Sequence, residues 1–218
     1  MSAPEVMQSG SVSVAYFTME VAIDDRLPSF SGGLGVLAGD HLRSAADAGY
    51  PLAAVTLLYH GGYFRQTVST DGEQTEAAVD WAPEQHLERL EARVRVRLED
   101  RDVVVGVWRL HVDGVRGGRI PVYFLDTKLP ENAPADREIC ERLYHGDVAA
   151  RLRQEVVLGI GGVAMLDALG HAGVGTFHMN EGHSALLGLA LLRREAAHRG
   201  RTKVEAADLA AVRGRCVF

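Results

Sequence analysis

The sequence predicts an α/β protein, and three observations carry that reading. Val12–Thr18 (VSVAYFT) is a short, β-rich, largely apolar run. A glycine-rich turn and a helix-period stretch follow it, and a second apolar run comes at Leu52–Leu58. Together they make a strand–loop–helix–strand unit. The helical stretch places Leu34, Leu37, Ala38, Leu42 and Ala45 on one expected face, and Gly49 and Pro51 stop it.

Residues 60–80 are rich in turn formers. From Arg93 to Leu125 the periodicity shortens. Arg93–Leu98 (RVRVRL) alternates strictly, Val103–Val112 less cleanly, and Arg119–Leu125 is a third β run, with Asp-Arg and Asp-Gly turns between them. An antiparallel β insertion over about 92–125 is expected, with the arginines of RVRVRL on its solvated face. After Pro134 the chain turns helical. A long amphipathic helix is expected over Asp147–Leu169, closed by Gly170 and Gly173. A short strand at Gly175–His178, a helix over Glu181–His198, a small helix at Glu205–Ala211 and a strand opening at Arg215–Phe218 complete the pass. The expected organisation is a flexible N-terminus at 1–11 and one domain at 12–218. A final strand without partners makes that domain an incomplete one in expectation.

Of the 218 residues, 47% are hydrophobic and 24% charged, an ordinary globular balance. The formal net charge of −6 argues against a generic nucleic-acid binder. Cys140 and Cys216 lie far apart and match no metal spacing, which suits a reducing cytoplasm. The first ten residues lack the basic start and apolar run of a signal peptide, and no stretch approaches the ~20 apolar residues of a membrane span. A soluble cytoplasmic protein is expected, with no membrane partner.

Four segments carry chemistry. Ser31–Gly35 (SGGLG) precedes a helix, where free backbone amides and the helix dipole favour an anion, and Gly32 and Gly33 allow close approach. A tight turn packing helix on strand is the plainer reading; GK[ST] and GxGxxG are both absent. His178–His183 (HMNEGH) lies between a strand and a helix, where α/β folds place ligand-binding groups. Asn180, Glu181 and His183 offer the donors and acceptors that sugar hydroxyls need. Asn180 as a helix cap, and His178 with His183 as zinc ligands, are the rival readings; the five-residue spacing is wrong for one helical face. Glu20 leaves the first strand as a pocket anchor or as a surface carboxylate. Tyr59–Gln66 (YHGGYFRQ) either walls a carbohydrate site with its rings or forms a hairpin at Gly61-Gly62, and the hairpin is favoured.

In order along the chain, these segments resemble one family. YFTMEVAIDDRLPSFSGGLGVLAGDHLRSAADAGYPLAAVTLLYHGGYFRQ resembles the start of the short bacterial α-glucan (glycogen/maltodextrin) phosphorylases. REICERLYHGDVAARLRQEVVLGIGGVAML and HMNEGHSALL are similar to later segments of the same enzymes, so the resemblance runs over about 12–218. It implies the Rossmann-like amino-terminal domain of a glycosyltransferase-B-type two-domain fold. It also implies phosphorolysis of terminal α-1,4-linked glucose to glucose 1-phosphate, with α-1,4-glucan and inorganic phosphate as partners. The implied cofactor is pyridoxal 5′-phosphate, on a lysine expected in a carboxy-terminal domain beyond Phe218. Residue by residue, the resemblance implies that Gly32, Gly33 and Leu34 line the substrate site and that Gly33 faces the cofactor, with Glu20 in support. It implies that Asn180 shapes the sugar pocket and that His183 is catalytic, bonding the transferred glucose. No metal is implied. Regulation by nucleotide or phosphorylation is not expected, and homo-oligomerisation of the full-length enzyme stays open.

Two other readings stand beside it. A glycogen-synthase-type glycosyltransferase also begins with a strand and a Gly-Gly-Leu loop, but usually with a nearby lysine where Phe30 and Ser31 stand here. A non-catalytic carbohydrate-binding module would be expected to close its fold.

Overall fold

The computed structural model describes residues 12–144 and 146–218. The expected flexible segment at 1–11 lies outside the described residues. A single seven-stranded sheet organises the chain, in the order β5-β6-β7-β2-β1-β8-β9. Strands β1 (Val14–Phe17) and β2 (Leu52–Leu57) pair in parallel on either side of helix α1 (Gly33–Asp47) in sequence, the unit that the apolar runs predict. β8 (Thr176–Met179) joins the other edge of β1, also parallel, and β9 (Cys216–Val217) follows it.

The helix α1 buries Ala38 and Leu42 of its expected face and packs Ala45 against the core, but the face is rotated away from Leu37. Gly35, Ala38, Gly39, Leu42 and Ala46 are buried, whereas Leu37 is 60% exposed and Leu34 only half-buried. Small residues win because the helix lies close against the chain that follows β1: a Cβ on Gly39 would stand 2.0 Å from the Ala22 carbonyl oxygen. The helix ends as expected. Tyr50 N–H donates to the Ala45 carbonyl and Gly49, at φ 62°, donates to Ala46, the Schellman arrangement.

The antiparallel stretch is present as β5 (Glu88–Leu98), β6 (Arg101–Asp113) and β7 (Arg119–Asp126). It is not set apart, for β7 pairs in parallel with β2 and so continues the main sheet. Arg95 and Arg97 face solvent while Val96 and Leu98 are buried, as the alternation requires. Arg93 departs from it at a register shift, where its guanidinium donates to the carbonyls of Leu90 and Ala92.

Gly61-Gly62 does not turn a hairpin. The hairpin comes later, between β3 (Arg65–Val68) and β4 (Gln74–Ala77), with its turn at Gly72, and Gly62 bridges to Arg142 instead. The expected long helix is also broken. After the short α2 (Pro134–Arg137), α3 (Val148–Val156) passes through a π-helical segment, Val157–Gly161, into α4 (Gly162–Ala168). This bulge lies where the helix touches its neighbours most closely: a Cβ on Gly159 would meet the Leu187 amide at 2.5 Å, and one on Gly162 would meet Phe17 at 2.6 Å. α5 (Leu187–His198) starts later than Glu181 because a 3-10 turn at Gly182–Ser184 comes first, and α6 (Ala206–Arg213) follows.

The core has two layers, one on each face of the sheet. Ala15, Phe17, Val55 and Leu57 face α3 to α6, meeting Leu158, Val163, Leu166 and Leu191. Tyr16, Ala54, Leu58 and Phe124 face α1, meeting Ala38, Leu42 and Ala46. No helix among the described residues is long and apolar enough to cross a membrane.

Candidate functional site

The sheet reverses its winding at β1. The chain leaves β1 for β2 on one side through α1, and reaches β8 on the other side only after α3 and α4. Open α/β sheets form a crevice at such a switch point, outside the carboxyl ends of the strands. Here the ends are Thr18–Glu20 after β1 and Asn180–His183 after β8.

Glu20 is buried, 2% exposed, and is no surface carboxylate. Its Oε2 accepts from the amide of Ser31 at 2.7 Å and that of Gly32 at 3.3 Å. Its Oε1 accepts the Tyr144 hydroxyl at 2.8 Å. The carboxylate therefore braces the start of the glycine loop from beneath and ties it to the turn before α3. Gly35 is the position where a side chain would collide, with Phe30 at 2.4 Å and Glu20 at 3.1 Å from an added Cβ.

This corrects one expectation. The Gly32 amide already has an acceptor in Glu20, so the open donors at the helix start are those of the next residues. Among the described residues no acceptor meets the amides of Gly33 or Leu34, and α1 has no side-chain cap and no acidic residue in its first turn. Both Gly32 and Gly33 are exposed, and a Cβ on either would meet nothing within 4 Å. The loop is open to a ligand and not packed under side chains.

Asn180 is not a helix cap. Its Nδ2 donates to Thr18 Oγ1 at 3.0 Å, and Thr18 donates onward to the Glu20 carbonyl at 2.7 Å. Its backbone N–H donates to the Phe17 carbonyl, and so does the Ser184 hydroxyl, which locks the end of β8 to the end of β1. Glu181 takes a left-handed conformation, φ 68°, and the chain then folds His183 inward to 5% exposure. His183 Nε2 is buried without a hydrogen-bond partner among the described residues. Burial lowers the pKa of this imidazole, with Arg151 acting the same way and Glu155, Glu181 and Glu20 opposing. The ring is a neutral group with an unpaired nitrogen, within the electrostatic reach of Glu20.

His178 and His183 do not converge. His178 stands on the α1 face, its ring 4.9 Å from Tyr16 and 5.3 Å from His41, while His183 feels the charges of α3. No group of three or more metal-ligating side chains occurs among the described residues.

Sequence reasoning missed Tyr144. It is a left-handed residue, φ 55°, whose hydroxyl pKa is raised by burial and by Glu20, and whose ring lies under the Arg151 guanidinium at 5.8 Å. Gln154 in the RLRQE run anchors the segment leading to it, donating to the carbonyls of Ile139 and Arg142. A tyrosine two residues before a glycine carries no signal of that contact, because Glu20 lies 124 residues away.

The mixed sheet of seven strands, four of its six pairings parallel, fits a Rossmann-like domain of the glycosyltransferase type. The carbohydrate phosphorylase family profile matches residues 23–111. The maltodextrin phosphorylase of Thermococcus litoralis is 42% identical over 179 residues, 79% of this chain and 21% of that protein. The glycogen phosphorylase of Mycobacterium tuberculosis is 41% identical over 198 residues, 85% of this chain and 22% of that protein. That of Aquifex aeolicus is 36% identical over 81% of this chain and 26% of its own length. Over about four fifths of its length the chain is thus similar to part of the bacterial-type carbohydrate phosphorylases. It spans about a fifth of the length of the curated relatives it matches first.

Proposed function

We propose that this chain forms the amino-terminal wall of a phosphorolytic site acting on α-1,4-glucan. In the full-length protein a second Rossmann-like domain would face it across the crevice, in the glycosyltransferase-B manner. The reaction exchanges the terminal α-1,4-glucosidic C–O bond for a bond to inorganic phosphate. Glucose 1-phosphate leaves, and the proton passes to the glucan oxygen.

The observation that carries the reading is the braced loop. Glu20 fixes Ser31 and Gly32 from below, the amides of Gly33 and Leu34 at the head of α1 have no described acceptor, and a Cβ on Gly33 would meet nothing within 4 Å. Fixed dipoles that need no reorientation stabilise developing charge better than water does, and an anion at a helix start benefits from both amides and dipole. The open space over Gly33 and its unpaired donor suit a phosphate group, so Gly33 and Leu34 would hold that of pyridoxal 5′-phosphate or of the substrate, with Glu20 acting through the loop. When bound, the cofactor supplies a phosphate group that relays a proton to inorganic phosphate. Its lysine belongs to the second domain. His183 offers a neutral imidazole with an unpaired nitrogen for a sugar hydroxyl, and Asn180 keeps the two strand ends in register. Hydrogen bonds of this kind tighten as the sugar distorts. The free thiols, Cys140 and Cys216, suit the reducing cytoplasm where such an enzyme would work.

The test is made on the full-length protein. It should bind pyridoxal phosphate, seen by its absorbance band, and release glucose 1-phosphate from maltodextrin only when phosphate is supplied. His183→Ala should lose most turnover while keeping the band. Near-normal turnover in that variant would remove His183 from the site, and no glucose 1-phosphate from the parent protein would end the reading.

A further inference from the structure

The two halves of the crevice meet at one hydroxyl. Thr18 is fully buried, just past the end of β1. Its Oγ1 donates to the Glu20 carbonyl at 2.7 Å and accepts from Asn180 Nδ2 at 3.0 Å. Glu20 braces the glycine loop, and Asn180 opens the turn that carries His183. We infer that Thr18 is a positioning residue: its hydroxyl fixes the side-chain amide of Asn180 with the nitrogen inward, and ties that amide to the backbone of the residue that braces the glycine loop.

The polarity of the two bonds is forced. A hydroxyl has one proton, and a carbonyl oxygen can only accept, so the Thr18 proton goes to Glu20. Whatever faces its remaining lone pairs has to be a donor, and Asn180 therefore presents Nδ2. The Asn180 Oδ1 is turned away from Thr18, and among the described residues nothing donates to it. A free acceptor in the same turn as the His183 imidazole suits a sugar hydroxyl, which can give it a proton.

Closing the sheet does not require this hydroxyl. The Asn180 amide and the Ser184 hydroxyl both donate to the Phe17 carbonyl, and the Thr18 amide donates to the Val55 carbonyl. The ends of β8, β1 and β2 are joined by those bonds. Tyr59 holds the Met19 carbonyl through its own hydroxyl at 2.8 Å. Among the described residues, Thr18 Oγ1 alone bonds the Asn180 Nδ2 and the Glu20 carbonyl.

The sugar and phosphate classes rest on the phosphorolytic reading, and glucose 1-phosphate separates the two questions because it carries a hexose and a phosphate in one molecule. The full-length protein is titrated by calorimetry without glucan. Thr18→Val replaces the hydroxyl with a methyl of similar size, and Thr18→Ser keeps the hydroxyl. Glucose 1-phosphate should bind about tenfold more weakly to Thr18→Val, the scale of one lost hydrogen bond. Inorganic phosphate should bind as in the parent, because Glu20 keeps its side-chain bonds to the loop. Thr18→Ser should return to within about twofold of the parent, and kcat/KM for maltodextrin should follow the same order. The double variant Thr18→Val/Asn180→Ala should bind glucose 1-phosphate no more weakly than Asn180→Ala alone, since both changes remove the same bond. Thr18→Ala, which adds no methyl against the Glu20 carbonyl, carries the same expectations should Thr18→Val fail to fold. Additive losses, parent-strength binding without the hydroxyl, or no recovery in Thr18→Ser would each overturn the positioning role. A parent that binds no glucose 1-phosphate would overturn it as well. If the parent shows this pattern yet forms no glucose 1-phosphate from maltodextrin and phosphate, the role of Thr18 stands and phosphorolysis falls.

Discussion

The crevice at the ends of β1 and β8 and the antiparallel wing of β5 to β7 use polar groups in opposite ways. In the wing most are paired, the Thr127 hydroxyl excepted. Asn132, 5% exposed, accepts from the Val104 amide and donates to the carbonyls of Val104 and Thr127. Asp126 accepts from His60, the Trp108 indole and the Lys128 amide, and although burial opposes its charge these donors hold its pKa below the ordinary carboxylate value. The left-handed residue of the wing, Glu99, sits in the β5–β6 turn that calls for one. In the crevice, His183 Nε2 and the amides of Gly33 and Leu34 have no described partner, and Tyr144 and Glu181 are left-handed outside any hairpin. His41 Nε2, Thr56 Oγ1 and Thr127 Oγ1 are buried without a described partner elsewhere, but only at the crevice do unpaired groups coincide with left-handed residues and open helix-start amides.

Glycines sharpen the contrast most. Gly118, in the β6–β7 turn, would place a Cβ 2.0 Å from the Ala46 carbonyl oxygen, so Gly118→Val should cost more than about 4 kcal/mol and be seen as loss of the cooperative melt. A Cβ on Gly33 meets nothing, so Gly33→Ala should leave the melting temperature within a degree or two of the parent. The same Cβ intrudes where the anion should sit, and kcat/KM should fall about 100-fold, or ~2.7 kcal/mol in transition-state terms. A stable Gly33→Ala enzyme with full activity would break the comparison at its centre.

Asn132→Ala measures the paired side. It orphans the buried Val104 and Thr127 groups, and a loss of about 2 kcal/mol is expected by chemical denaturation, with KM values unchanged. A change in KM without a loss of stability would mean that the wing reaches the substrate.

The order of elements was legible because it rests on local periodicity: β1, β2, the three wing strands, β8 and the start of α1 all lie where apolar runs and glycines put them. Three features resisted, each for a non-local reason. Leu37 points outward because α1 packs so close that only glycine and alanine fit beneath it. The π segment arises from close approach of Gly159 and Gly162 to residues distant in sequence. In the site, glycines 32 and 33, Leu34, Asn180 and His183 were visible as types in a pattern, and the structure brings Asn180 and the glycine loop to the two strand ends. The role of Glu20 as a brace, its theft of the Gly32 amide and its bond to Tyr144 depend on partners 11 to 124 residues away.

His41 gives the finest test of whether an unpaired group alone marks a site. Its Nε2 is also buried without a described partner, but it lies on the α1 face, its ring 4.7 Å from Tyr16 and 5.3 Å from His178, away from the strand ends. Tyr16 from β1 and His178 from β8 face it, and no carboxylate acts on either histidine. Burial lowers the pKa of His41, and burial with the His41 charge lowers that of His178. Below the ordinary histidine value near ~6.5 the unfolded chain therefore binds more protons than the folded one, and stability must fall with pH until the lowered folded values are passed. His171, His183 and His111, lowered chiefly by burial, add in the same direction. His41→Phe keeps a ring against Tyr16 and removes both the titration and the unpaired nitrogen. Its melting temperature at pH 7 should match or exceed the parent, and its decline from pH 7 to pH 5 should be shallower. Turnover should not change; if it drops as is expected for His183→Ala, then position at the strand ends is not what separates the proposed site imidazole from the merely buried one.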